Sequence, residues 1–299
     1  MLEYLHLELL RQEFVQNAFM AGTIVAIVTA VVGYFVILRA QAFASHSLAH
    51  IGFAGATGAA LIGASAFLGT FAFTLLAALG MGALGDRVRG RDVEIGMVLS
   101  FMLGLGVLFI KLYTHYATQT VNILFGSILS VTHTDVLITL ACSIFALLLL
   151  LLLFRPLLFA SIDPEVAQTR GVPIRFLSIV FLLLLALTIT EAVQVVGVLL
   201  VFALLIAPAA TAERLTSKPS SAIALSVVLG LLFTWAGLFL SIVSRWPVSF
   251  YIAAFAGLSY FVAALISRQR RPHREQTRPH PCHECLPVPM HSSSSSAPV

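Results

Sequence analysis

The feature that most constrains this chain is a succession of apolar runs, each long enough to cross a lipid bilayer and almost free of charge. Residues 136–154 are the clearest case, a leucine-rich stretch with no Asp, Glu, Lys or Arg. A helical span needs about 20 apolar residues. Runs of this kind recur at 14–38, 40–68, 71–84, 95–112, 136–154, 176–190, 193–210, 222–243 and 250–266. Lipid offers no hydrogen bonds to bare backbone, so these runs must be helices. Their continuity argues against a β-barrel, whose strands alternate apolar and polar residues. Composition agrees: 10% of residues are charged and mean hydropathy is +1.00, against about 25% charged in a soluble domain.

The expected fold is therefore an all-α membrane protein, a polytopic helix bundle of eight or nine transmembrane helices. Two boundaries set the count. Runs 40–68 and 71–84 merge if the helix continues across Gly69 and Thr70, and runs 176–190 and 193–210 are separated only by Glu191 and Ala192. With eight crossings, the segment that stays out of the membrane is expected to be 71–84 or 176–190. Residues 1–266 form one membrane domain. Residues 267–299, rich in Pro, His, Arg and Ser, cannot bury enough apolar surface to order themselves and are read as a disordered tail. Residues 1–13 hold Glu3, Glu8 and Glu13 in place of the basic start of a cleaved signal, so the first run is expected to stay as a span.

Orientation follows the positive-inside rule. If Arg39, the loops 86–94, 155–175 and 212–220 and the tail share one side, that side holds all of the 17 Lys and Arg residues except Arg11, Lys111 and Arg245. Those loops and the C-terminus are then cytoplasmic and the N-terminus is outside, with nine crossings. The sequence pI of about 9.2 comes from these arginines, so a lipid surface, and no nucleic acid, is the partner it implies. Cys142, Cys282 and Cys285 give no disulfide framework.

Two histidines interrupt the apolar pattern. In Phe43-Ala44-Ser45-His46-Ser47-Leu48-Ala49-His50, His46 and His50 lie one helical turn apart on one face. Paired neutral imidazoles suit a borderline metal such as zinc. The competing reading, a pair hydrogen-bonded to backbone near a helix end, has even weight on the pattern alone. The small residues Ala44, Ser45, Ser47, Ala49, Gly52, Ala54 and Gly55 permit close approach by another helix.

Within 155–175, Asp163 is a candidate helix N-cap, Pro164 suits the first helical position and Gly171 can close the end. A short capped helix there, with Glu165 in its first turn, suits docking to a soluble partner as well as it suits a solvated connector. Gly197 and Pro208 interrupt the run 193–210 and offer a break and a kink. Glu191 and Gln194 are expected at its outer end, as interfacial residues or the lining of an entrance. His280, Cys282, His283 and Cys285 in the tail offer a thiophilic metal site off any transport path. His115 and His133 read as loop histidines outside the membrane. Both lysines, Lys111 and Lys218, lack the glycine-rich context of a phosphate-binding loop. The chain is thus expected to be no ATPase of that kind.

These residues resemble the permease subunits of bacterial zinc/manganese ABC importers. In that family Phe-Gly-Asp-Ala-Leu-Ser-His follows the first span. Here His50 matches the family histidine and His46 stands where aspartate is usual. The run Val196-Gly197 through Pro208-Ala209-Ala210-Thr211-Ala212 is similar to the family's nearly residue for residue. Leu124-Phe125-Gly126-Ser127-Ile128-Leu129 resembles its Leu-Phe-Gly-x-Ile-Leu, and Asp163 to Gly171 resembles its cytoplasmic coupling segment. The similarity covers about 14–266. It implies a homodimer of permeases, separate ATPase subunits, an extracellular or periplasmic metal-binding protein, no covalent chemistry and no resident cofactor. It implies further that metal passes along the permease dimer interface, with His46 and His50 at the family's metal-path positions. A His/His pair in place of Asp/His shifts the expected cargo from Mn2+ toward Zn2+. Manganese or iron import, a self-sufficient proton-coupled carrier and a tail-based metal sensor are the alternatives. The carrier would need intramembrane carboxylates, and the runs offer few beyond Asp135 and Glu191.

Overall fold

The computed structural model describes residues 12–83, 91–112, 126, 128–244 and 246–269. Among these the chain forms ten α-helices: α1 (Glu13–Leu38), α2 (Ala42–Leu61), α3 (Ala66–Ala83), α4 (Arg91–Leu112), α5 (His133–Ile162), α6 (Pro164–Thr169), α7 (Ile174–Val196), α8 (Val198–Leu215), α9 (Pro219–Ser244) and α10 (Val248–Gln269), with a 3-10 turn at Ile128–Ser130. The all-α bundle expected from the apolar runs is what forms.

Among the described residues eight helices are long and apolar enough to cross a membrane: α1, α3, α4, α5, α7, α8, α9 and α10. The ninth long helix, α2, has 20 residues, enough for about 30 Å, but carries both histidines, three serine or threonine hydroxyls and three glycines. The doubtful span is therefore α2, and neither 71–84 nor 176–190. Residues 71–83 and 176–190 belong to helices that qualify as full spans.

Three boundaries also move. The second and third runs part at residues 62–65, where Gly63 takes φ +71°, and Gly69 lies inside α3. The sixth and seventh part at Gly197 (φ 86°, ψ 161°), so Glu191 and Ala192 are helix interior. The loop 155–175 is shorter than its polar residues suggest, because α5 continues through Arg155 and Pro156 to Ile162. His133 begins α5 directly after the cap residue Thr132, whose hydroxyl accepts from the Asp135 amide while Asp135 accepts from the Thr132 amide.

Helices α1 and α7 are the most deeply enclosed of the spans. Helix α1 packs on α5, α7, α8 and α9, and α7 on α2, α3 and α5. Inside a bilayer, association relies on close packing and polar links more than on the hydrophobic effect. Both are present. A Cβ at Gly33 of α1 would run into the Leu205 carbonyl of α8, and Gly55 and Gly69 meet where α2 crosses α3. The Ser226 hydroxyl of α9 donates to the Ala30 carbonyl of α1 at 3.1 Å, and Thr74 of α3 and Thr190 of α7 share a hydroxyl hydrogen bond of 2.9 Å. Arg39, after the end of α1, donates to Ser178 of α7 at 2.6 Å and lies over the Phe181 ring.

Candidate functional site

The site begins with the turn that launches α2. The Gln41 amide donates to the Val36 carbonyl and the Ala40 amide to the Ile37 carbonyl, the pattern of a Schellman closure. Ala40 sits in its left-handed position at φ 53°, the one described non-glycine residue with positive φ. Such strain, where glycine is the usual choice, persists when the surroundings fix the geometry. Here they fix the angle at which α2 leaves α1.

One turn into α2 the two imidazoles appear, both half-buried. Their ring centroids are 4.6 Å apart and the planes stand at 80°, edge against face. His46 also packs edge-on against Phe202 of α8, with centroids 4.9 Å apart. His50 Nδ1 is buried and has no hydrogen-bond partner. The backbone-bonded reading of the pair thus fails at that nitrogen. The flanking hydroxyls are used locally, Ser45 on the Ala42 carbonyl and Ser47 on the Phe43 carbonyl, and do not compete for the site. Among the described residues no group of three or more His, Cys, Asp or Glu side chains gathers at one point. The pair offers two neutral nitrogen donors and leaves the rest of a coordination shell to other molecules.

The opposite flank of α2 is clamped. A Cβ at Gly52 would lie 3.0 Å from Thr70 Cγ2 and 3.1 Å from Thr74 Cγ2, and one at Gly106 of α4 would lie 3.2 Å from the Ala54 Cα. Glycines at these crossings hold α2 against α3 and α4, which leaves the histidine face toward α8.

The two interrupting residues behave differently. Gly197 adopts a conformation open essentially to glycine alone and separates α7 from α8. Gly126 (φ 77°) rests on this break: a Cβ on it would overlap the Val196 carbonyl and come within 2.7 Å of the Gly197 nitrogen. Two segments set 71 residues apart in the chain, Gly126 and Gly197, therefore form one contact. Pro208 is buried inside α8 and the helix continues past it. It leaves the Leu204 carbonyl without its usual helical donor while its ring lies beside Gly230 of α9.

The segment from Asp163 to Gly171 is a short exposed helix. Asp163 Oδ1 accepts from the Val166 amide at 3.0 Å, Pro164 takes the first position, and Gly171 closes the end at φ 81°. Ala167 alone is buried, and Glu165 and Val166 point outward. His280, Cys282, His283 and Cys285 lie outside the described residues, as do His115, Leu124, Phe125, Ser127 and residues 84–90.

One polar group is more deeply placed than the sequence suggests. Glu191 is 1% exposed. Its Oε2 accepts from the Ser143 hydroxyl of α5 at 3.1 Å, and its Oε1 has no partner. The carboxyl is thus an interior group of the bundle and no interfacial residue. Its partner lies 48 positions away, so no local pattern announces the pair.

A family model described as "ABC 3 transport family" matches residues 11–267. A manganese transport system membrane protein, MntC, of Halalkalibacterium halodurans is 34% identical over 79% of this chain and 81% of its own length. A high-affinity zinc uptake system membrane protein, ZnuB, of Haemophilus influenzae is 29% identical over 86% of this chain and 99% of its own. A solved structure described as PsaBC from Streptococcus pneumoniae in complex with Fab superposes with a TM-score of 0.80 at 31% identity, covering 91% of this chain and 98% of that one.

Proposed function

This chain belongs to the ABC 3 transport family, and on that premise we propose that it is the membrane permease of an ATP-driven importer whose cargo is zinc. It lies in the bacterial plasma membrane with the N-terminus outside and the C-terminus in the cytoplasm, the orientation favoured by its Lys and Arg distribution, with α2 crossing as a ninth span beside the eight apolar helices. ATP is hydrolysed by a separate subunit, which docks on the capped helix α6 through Asp163, Pro164, Glu165 and the Gly171 turn. An extracellular metal-binding protein delivers the cargo.

The observation that carries this reading is the His46–His50 pair, with ring centroids 4.6 Å apart and an unpartnered, buried nitrogen on His50. Two such pairs in a homodimer would supply four imidazoles, enough for tetrahedral zinc. An all-nitrogen shell is a poorer match to Mn2+, which favours oxygen ligands. The set is uncharged, so it holds a dication less firmly than carboxylates would, which suits a step that must also release.

Manganese is the second reading, favoured by the relatives whose names specify that metal. Uptake of zinc-65 and manganese-54 by cells carrying the intact chain or the double variant His46→Ala/His50→Ala separates them, with expression and ATPase assembly checked. Loss of zinc uptake in an assembled double variant supports the site. Normal entry of both metals removes the site and leaves the family. Manganese uptake alone by the intact chain removes the zinc assignment.

A further inference from the structure

A cavity of about 490 Å³ lies between α3 and α4, with α2 as its floor. Ile51, Met81 and Ile95 are buried along its floor, while Leu76, Gly80, Glu94 and Val98 stand exposed along its open side. We propose that this cavity binds one acyl chain of a zwitterionic phospholipid.

Three features select that occupant. The walls are almost wholly apolar, so they recognise hydrocarbon and offer nothing to a polar ligand. The cavity follows the helix axes. On α4 its lining runs from Glu94 to Leu105, eleven helical steps or about 16 Å, close to the ~15 Å that one leaflet contributes to a 30 Å hydrocarbon core. It starts at the level where α4 begins, at Arg91, Asp92 and Glu94, and ends among Phe73 and Leu105. A chain entering from the interface therefore fills it end to end. Finally, the one charged side chain on the lining is the Glu94 carboxylate at the mouth. It repels an anionic headgroup and faces the ammonium of phosphatidylethanolamine. The leaflet is the one facing the α3–α4 connection, the inner leaflet in the orientation proposed above.

The floor residue Ile51 directly follows His50, so the bound chain supports α2 from behind the imidazole pair.

Gly80 makes the idea testable. A Cβ there meets nothing within 4 Å, so Gly80→Leu fills the opening without a clash and keeps a helix-compatible residue. Gly257 of α10 is equally open, and Gly257→Leu is the control. The full chain is reconstituted with phosphatidylethanolamine bearing a diazirine in one sixteen-carbon chain, irradiated and mapped by peptide mass spectrometry. The expected result is labelling of residues 73–81 and 94–105 severalfold above that of α10. That excess disappears in Gly80→Leu and persists in Gly257→Leu. Equal labelling of α10 and the cavity, or an excess that survives Gly80→Leu, overturns the proposal. So does efficient disulfide cross-linking between two copies of Val98→Cys, which would show that a second chain covers the opening.

Discussion

Gly55 of α2 and Gly69 of α3 face each other so closely that a Cβ on either would overlap the other's carbonyl oxygen. Neither helix has room for the smallest side chain at this point. Gly55→Ala should therefore push the hairpin apart at a cost of about 1–3 kcal/mol, the usual range for overpacking. A lower unfolding temperature in detergent is the expected reading. Gly80→Ala in α3, where the space is open, should not lower it, and should raise it slightly as a helical Gly→Ala change does.

The break between α7 and α8 depends on Gly197 in the same direct way. At φ 86° and ψ 161° an alanine is held where L-residues are strained by about 1–3 kcal/mol. Gly197→Ala should lower thermal stability by that amount. Gly126→Ala should do so as well, because its Cβ meets the Val196 carbonyl. The two losses should fall short of additive in the double variant, since the residues share one contact.

Ala40 offers the reverse test. Its φ of 53° costs an L-residue roughly 1–2 kcal/mol, and Ala40→Gly should recover part of that in thermal unfolding. If the fixed angle of α2 matters to transport, uptake should not rise with stability.

For the interior carboxyl, Ser143→Ala removes the one hydrogen bond that Glu191 receives. Leaving a buried polar group without a partner costs about 1–3 kcal/mol, so the variant should unfold earlier. Glu191→Leu, which removes the polar group as well, should cost less when combined with Ser143→Ala than the sum of the two single changes.

Selectivity is tested at one position. His46→Asp exchanges a nitrogen donor for oxygen, and the ratio of zinc-65 to manganese-54 uptake should fall severalfold. An unchanged ratio would remove His46 from metal selection. Val166→Asp on α6 should uncouple ATP hydrolysis from uptake while the chain remains folded, since Val166 is exposed and its helix is capped by Asp163.

Much of this molecule is legible in its sequence because the bilayer leaves so few options. Apolar length gave the helices, and the cap, proline and glycine of α6 gave its limits. The misread boundaries share a cause: a glycine or a charge in an apolar run looks like a break whether or not it is one. Gly69 serves helix packing, Gly63 makes the turn, and only the fold distinguishes them. The His pair was visible from its four-residue spacing. Its partner Phe202 and the unpartnered nitrogen of His50 were not, because they depend on how α8 lies against α2. Glu191 was misplaced for the same reason, since its environment is made by Ser143 on another helix.

The low apolarity of α2 also bears on what holds it in place. Helices α1 and α3 are long and apolar enough to cross a membrane, and α2 between them falls short of that apolarity. Its place in the bundle rests on its neighbours, above all on the tight glycine crossing with α3. A substitution that weakens α3 therefore loosens the support of His46 and His50, long before any question of what they bind.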